Sequence, residues 1–247
     1  MNVRTLIISD IHNTWENAEK IIKLEDVDNV VFLGDYFDNF GDDYRVASET
    51  ADWLAGSLTK KNRIHIMGNH DANYAFPHRS YKCGGYQIDK DEIINLILKE
   101  TDWKKLPLYT WVGSWLCTHA GLHTHFYDKY SDGIPLKSWL EETCDVALKT
   151  AFENKPAVQI LRAGYDRGGS EVYGGIYWGD WCEFKPIVGI NQVFGHSPQR
   201  KPQWLVRGNL LNKDYTQNLC LDVSHCIYYG IHESKTDKIT VHWIGDL

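Results

Sequence analysis

Three times in the first third of the chain, a short β-branched apolar run gives way at once to a loop of Asp, His and Asn residues. Thr5 to Ile8 runs into Ser9-Asp10-Ile11-His12-Asn13, Asn29 to Leu33 into Gly34-Asp35, and Arg63 to Met67 into Gly68-Asn69-His70-Asp71. Runs of this length and composition read as buried strands. Between them lie helical patterns, at about Trp15 to Leu24 and at 45–60, where Val46, Trp53, Leu54 and Leu58 interleave with polar residues. Strand, loop and helix in repetition imply a largely parallel sheet with crossover helices. Sheets of that kind collect ligands at the carboxyl ends of their strands, and all three polar loops fall there.

The rest of the chain is less regular. Asp89–Lys99 and 136–163 read as helical, Leu108 to Val112 and Trp115 to Thr118 as strands about the Gly113-Ser114 turn, and Gly164 to Gly179 as irregular. Gln192 to Phe194, Asn218 to Asp222, Cys226 to His232 and Lys238 to Trp243 read as short closing strands. No internal repeat, low-complexity segment or linker interrupts them. Residues 1–247 therefore read as one domain, with segments 72–107 and 123–185 long enough to form caps.

Composition narrows the function classes. A formal net charge of −7 argues against a broad grip on long nucleic acid, and leaves room for a nucleotide or other phosphorylated ligand held locally. No run of 18 apolar residues exists, so no membrane span is expected. The first ten residues are too short and too polar for a signal peptide. The six cysteines form no C-x-x-C pair, which points to reduced thiols in a cytoplasmic compartment and away from a cysteine-built zinc site.

The polar loops carry the chemistry. Asp10 and His12 stand two residues apart past a strand, and in extended backbone such positions point the same way. Asp35, Asn69 and His70 follow neighbouring strands and can meet them at one sheet edge. His119 and His196 end two further apolar runs. Taken singly, each residue has a plainer explanation, as a turn former, a helix cap or a hydrogen-bonded core histidine. Five clusters in this order, each directly after a strand, do not reduce to turns.

Asp10-x-His12, Gly34-Asp35-x-x-Asp38, Gly68-Asn69-His70-Asp71, His119-Ala-Gly and Gly195-His196 together resemble the signature of the calcineurin-like metallophosphoesterases, over residue 9 to at least 198. Cys220-Leu221-Asp222 resembles the family's closing segment. Ser197-Pro198 after Gly195-His196, where many branches carry a second metal-binding His, resembles the protein-phosphatase and diadenosine-tetraphosphatase branch. The resemblance implies an α/β fold, a layered β-sandwich of mixed sheets flanked by helices. It implies that Asp10, His12 and Asp35 hold one divalent metal ion and that Asp35, Asn69, His119 and His196 hold a second, with Mn²⁺ first in expectation and Fe, Zn²⁺ or Ni²⁺ as alternatives. It also implies hydrolysis of a phosphate ester by a metal-bridging hydroxide, with His70 as general acid and Asp38 orienting its ring.

One position departs from the branch. Asn39 stands where the protein phosphatases carry a phosphate-clamping Arg. Arg45, Arg79, Arg162 and Arg167 are the replacements within the sequence, and Arg162 and Arg167, flanking Ala163-Gly164-Tyr165-Asp166, are the two favoured. His78, His123 and His125 read as surface or supporting histidines. Trp178, Trp181 and Phe184 could stack on an aromatic leaving group or pack on the core. The expected substrate is a phosphorylated small molecule, a nucleotide such as a dinucleoside polyphosphate, or a serine/threonine phosphoprotein. A metal-binding scaffold on the same fold is the non-enzymatic alternative.

Overall fold

The computed structural model describes residues 2–208, 214–223 and 227–246. The first half is built from β1 (Arg4–Ile8), α1 (Trp15–Leu24), β2 (Asn29–Phe32), α2 (Tyr44–Ser57), β3 (Arg63–His65) and α3 (Asn69–Ala75). Next come α4 (Ile88–Ile97), α5 (Glu100–Trp103), β4 (Tyr109–Val112), β5 (Trp115–Thr118), α6 (Thr124–Tyr130) and α7 (Leu136–Phe152). The chain continues through β6 (Asn191–Phe194), β7 (Gln203–Arg207), β8 (Thr216–Cys220), β9 (Tyr228–Glu233) and β10 (Lys238–Trp243).

These strands form two mixed sheets, ordered β10-β9-β1-β2-β3 and β4-β5-β6-β8-β7. In the first, β1, β2 and β3 run parallel and β9 pairs antiparallel with β1. In the second, β5, β6 and β8 run parallel, while β4 and β7 are antiparallel edges. The crossover units thus supply a parallel centre to each sheet, and hairpin-type pairings complete it. The fold is the α/β layered sandwich that the motifs imply.

Strand alternation explains the layering. Ile7 and Val31 point to one face and pack with Trp115, Cys117, Val193 and Leu219 in a core between the sheets. Their neighbours Leu6, Ile8, Val30 and Phe32 point the other way, into a second core with Ala18 and Ile21 of α1 and Ala47, Ala51 and Leu54 of α2. Both faces of β1 and β2 are therefore buried, which is why their sequences read as unbroken apolar runs.

Helix ends follow local chemistry. The Asp43 carboxylate caps α2 by accepting from the N–H groups of Arg45 (2.9 Å) and Val46 (3.2 Å). The helical reading of 136–163 is corrected: α7 stops at Phe152. Asn154 takes a left-handed backbone there (φ 56°), and Pro156 has no N–H to continue a ladder. Residues 159–161 and 165–167 form only short 3₁₀ turns. The β7 edge strand and α3, α5 and α6 lie in stretches that pattern alone leaves unassigned. Cys226, expected to open a strand, lies outside the described residues. No helix among the described residues is long and apolar enough to cross a membrane.

His65, at the end of β3, makes the fold sensitive to acid. Its ring stacks on Phe32 (4.5 Å between centroids) and bonds Ser57 Oγ (2.9 Å) and the Tyr36 hydroxyl (3.2 Å). Burial, reinforced by Arg63, pushes it down to about 3. The folded state holds it neutral, whereas the unfolded chain protonates it near 6.5. Its stabilisation is therefore complete above pH 6.5 and lost as pH falls toward 3, by about 1.4 kcal/mol per unit. Urea titrations at pH 7 and pH 5 should differ by about 2 kcal/mol more for the wild type than for His65→Gln. An identical pH dependence in the two proteins would refute this assignment.

Candidate metal centre and active site

Each parallel strand delivers one polar residue just past its carboxyl end. Asp10 follows β1, Asp35 follows β2 and Asn69 follows β3; His119 follows β5, His196 follows β6 and Asp222 follows β8. Three come from each sheet, and they meet at one rim of the sandwich. The backbone there is unusual. Asp10, His12, Asp35, Asp38 and His196 all have positive φ, between 39° and 69°. Left-handed backbone costs a non-glycine residue about 1 kcal/mol or more, least for Asp, Asn and His. Such strain concentrated in one place marks a functional site.

Two groups of donor atoms converge: Asp10, His12 and Asp35, and Asp35, His119 and His196. Asp35 belongs to both. Its Oδ2 lies 3.3 Å from His119 Nε2 and 3.7 Å from His12 Nε2. Asn69 Oδ1 and His196 Nδ1 each lie 3.1 Å from His119 Nε2. The tautomers follow from the opposite ring atoms. His119 Nδ1 donates to the Leu33 carbonyl (2.8 Å) and His12 Nδ1 to the Phe37 carbonyl (2.9 Å). Carbonyls only accept, so in each neutral ring Nε2 carries the lone pair and aims it at the Asp35 carboxylate.

That donor set calls for cations. Burial, then Asp222, pushes the Asp10 carboxyl well above the usual range. Burial pushes Asp222 up to about 7. Burial would also raise Asp35, but the His119, His70 and His12 rings outweigh it and hold that carboxylate well below the usual range. Asp35 in turn holds His119 up, at about 9, against the effect of burial. His119 Nε2 and His196 Nδ1 converge at 3.1 Å beside the buried Asp35 and Asp10 carboxylates, and imidazole nitrogens with carboxylate oxygens are a donor set suited to divalent ions. The His119 and His12 rings are also oriented from behind by carbonyls, an arrangement common to histidines able to ligate metal.

Glycines and one further carboxylate shape the shell. A Cβ on Gly68 would lie 2.2 Å from Asp35 Oδ1, and one on Gly195 would lie 1.9 Å from Asp10 Oδ2. The buried Asp71 carboxylate accepts from Asp35 N, Tyr36 N and Gly68 N, each at 2.8 Å, and so stitches the loop after β2 to the loop after β3. Burial and nearby Asp35 push Asp71 up to about 7, while the N–H groups of Gly68 and Tyr36 pull the other way.

His70 Nδ1 lies 3.0 Å from Asp38 Oδ2. Burial would lower the His70 ring, but Asp35 and Asp38 hold it above its ordinary value. His12, Asp35, Asn69, His70, His196 and Asp222 line a cavity of about 860 Å³. Arg167 and Trp178 line it too, both beside His196: Trp178 lies edge-on to the His196 ring, with 5.5 Å between centroids. Arg167 pairs with Asp180 (2.8 Å) and donates to Ser197 Oγ (3.2 Å). Arg162 does not reach the cavity: its guanidinium is committed to the Ala157 carbonyl (2.7 Å) and to Glu171 (2.9 Å). Trp181 and Phe184 stack on each other and pack against Phe194, so of the three aromatic candidates Trp178 alone lines the cavity. His123 caps α6 and stacks on Tyr173.

A family model for calcineurin-like phosphoesterases matches residues 3–200. The chain belongs to that family. Solved structures similar to this calcineurin-like phosphoesterase include a mutant cold-active protein tyrosine phosphatase, at 15% identity and TM-score 0.58, over 99% of this chain and 79% of that one. A metallophosphoesterase from Sphaerobacter thermophilus is similar at 14% identity and TM-score 0.49, over 98% of this chain and 87% of that one. A serine/threonine phosphatase from Saccharomyces cerevisiae is similar at 15% identity and TM-score 0.46, over 94% and 72%. No match was found among curated proteins. Membership agrees with the Asp and His groups able to bind metal in this calcineurin-like phosphoesterase.

Two contributors to the site escape a reading of motifs. Lys90 reaches the Asp38 carboxylate from α4, and a lysine in a helical pattern gives no sign of that. Cys83 sits against Asn69, with Sγ 3.6 Å from Nδ2, in a loop without motif. Asp222 lies in the Cys220-Leu221-Asp222 segment noted in the sequence, and like Asp10 and Asp35 it follows an apolar run.

Proposed function

We propose that this protein hydrolyses a phosphate ester with two divalent ions, Mn²⁺ first among them, held by Asp10, His12 and Asp35 and by Asp35, Asn69, His119 and His196. The observation that carries the proposal is the pair of donor groups sharing Asp35. When bound, the ions would lower the pKa of a water and spread the charge on the phosphate oxygens. The protein's own groups do the rest. Arg167, which lines the cavity beside His196, clamps a phosphate oxygen in place of an Arg at Asn39. One water is consumed. Its oxygen forms the new bond to phosphorus, the bond to the leaving oxygen breaks with its electron pair on that oxygen, and His70 Nε2 delivers a proton there. The proton lost by the water passes to solvent, and the products are the phosphate and the alcohol.

The substrate is a small phosphate ester, a nucleotide or a phosphoprotein. The five described cysteines are all unpaired, which supports a reducing, cytoplasmic setting. Metal analysis of the purified protein, followed by assay on an aryl monoester, an aryl diester, a phosphopeptide and diadenosine tetraphosphate, tests the reading. Two ions per chain and turnover of at least one substrate are expected. A full metal load with no turnover on any would favour a metal-binding scaffold. Arg167→Ala should lower kcat/KM ten- to a hundredfold, as expected for about 1.5–3 kcal/mol of charge-assisted hydrogen bonding. Unchanged kcat/KM would remove Arg167 from the phosphate site.

A further inference from the structure

The side chain of Lys90 is completely buried. Burying an ammonium is costly unless its charge and all three protons are matched. Here they are matched by Asp42 Oδ1 (2.6 Å), Asp38 Oδ1 (3.0 Å) and the Gly85 carbonyl (3.2 Å). Asp38 is saturated in turn. Its Oδ2 takes His70 Nδ1 (3.0 Å) and Asn73 Nδ2 (2.9 Å), and its Oδ1 takes the Tyr74 hydroxyl (2.5 Å) and Lys90. Four donors on one carboxylate fill its lone-pair positions. A carboxylate in that setting stays an acceptor, so the His70 proton on this side resides on Nδ1 and Nε2 is left toward the cavity.

The surroundings hold Lys90 in place. Asp42 Oδ2 accepts from Asn13 Nδ2 (2.8 Å), and Asn13 Oδ1 accepts from Thr50 Oγ1 (2.9 Å). The 83–86 loop closes on Asp38 so tightly that a Cβ on Gly85 would stand 2.7 Å from the carboxylate carbon. The segment 72–107, long enough for a cap, thus sends part of itself beneath the site as a support.

We propose that Lys90 is a positioning residue for the His70–Asp38 pair: it neutralises the two carboxylates Asp38 and Asp42 and thereby fixes the His70 ring with Nε2 facing the leaving oxygen. The proposal rests on the reading of His70 as the group that protonates that oxygen. Remove the ammonium and Asp38 faces Asp42 with no cation between them. The Asp38 carboxylate then turns away from Asp42, and the ring it orients turns with it.

The test compares wild type, Lys90→Met, Lys90→Arg and His70→Asn as full-length, metal-loaded proteins on nitrophenyl phosphate and phenyl phosphate. A good leaving group needs little protonation and a poor one needs much. Lys90→Met should lose about tenfold more kcat on phenyl phosphate than on nitrophenyl phosphate, with KM unchanged, and Lys90→Arg should recover part of the loss. His70→Asn should show the same selectivity more strongly. Equal losses of kcat on both esters for Lys90→Met, beside a selective loss for His70→Asn, overturn the role of Lys90. Equal losses for His70→Asn overturn the protonation reading itself. A second measurement does not depend on turnover: imidazole nitrogen NMR of the Zn²⁺-loaded protein should show His70 Nδ1 always protonated in the wild type, with the ring losing its proton from Nε2 alone, and a mixture of neutral tautomers in Lys90→Met. An unchanged tautomer overturns the proposal. If Lys90→Met does not fold, Lys90→Gln, which removes the charge and keeps a hydrogen-bond donor toward Asp38 and Asp42, is read in the same two ways.

Discussion

Asp35→Asn is expected to lower kcat by about a thousandfold or more while leaving the protein folded, with a lower thermal midpoint in the absence of metal. The two effects separate because of what each oxygen does. Oδ1 accepts the His70 N–H (2.9 Å), and an amide oxygen can still accept it. Oδ2 lies 3.3 Å from His119 Nε2 and 3.7 Å from His12 Nε2, and in the metal-free protein it attracts the His119 ring, whose protonated form it favours. An amide there carries no charge, so it gives up that attraction. The variant therefore loses an ion pair in the metal-free protein and removes the one anionic group that belongs to both donor sets. Steady-state kinetics, metal stoichiometry and thermal unfolding measure the three quantities separately. Retained activity with two ions per chain would contradict the shared-ligand arrangement.

Gly195→Ala tests the same centre by sterics alone. Gly195 has no left-handed backbone, so alanine meets no conformational penalty of its own. The added Cβ would lie 1.9 Å from Asp10 Oδ2 and 2.9 Å from Ser9 Cβ, closer than non-bonded atoms come. Asp10 must yield, because its carboxylate is held in front of Gly195 by the His196 N–H (3.0 and 3.1 Å). A displaced ligand should weaken metal binding on the order of a hundredfold, as changes at the support of a ligand do. Activity should fall at limiting metal and recover in part with excess. Isothermal titration with Mn²⁺ gives the affinity directly, and wild-type affinity would show that Asp10 is not held as described.

The parts of this centre legible in the sequence are those fixed by local rules. β1, β2, β5 and β6 are short apolar runs buried on both faces, and their ends could be read to within a residue or two. Asp10, His12, Asp35, Asn69, His119 and His196 could be read because each directly follows such a run. Sidedness and long-range pairing carry no comparable signal. Nothing local distinguishes Arg167, which reaches the cavity, from Arg162, which turns to Glu171. Lys90 lies 52 residues from Asp38 in sequence, and only packing of α4 brings its ammonium beneath that carboxylate. The helix expected through residue 163 fails at Asn154 and Pro156, where backbone conformation outweighs apolar spacing.

The division of the proposed ligands between two sheets has a consequence for the core. Asp10, His12, Asp35 and Asn69 ride on one sheet, and His119 and His196 on the other. Between the sheets lies an apolar layer that includes Ile7, Val31, Val193 and Leu219, a contact without directional bonds. Sliding one sheet over the other by an ångström would leave that layer nearly as well buried and yet pull the coordination shell apart. The thickness and fit of this layer therefore act as a spacer that sets ligand distances. Trimming a methyl group deep inside it would register as weaker ion binding before it registers as unfolding.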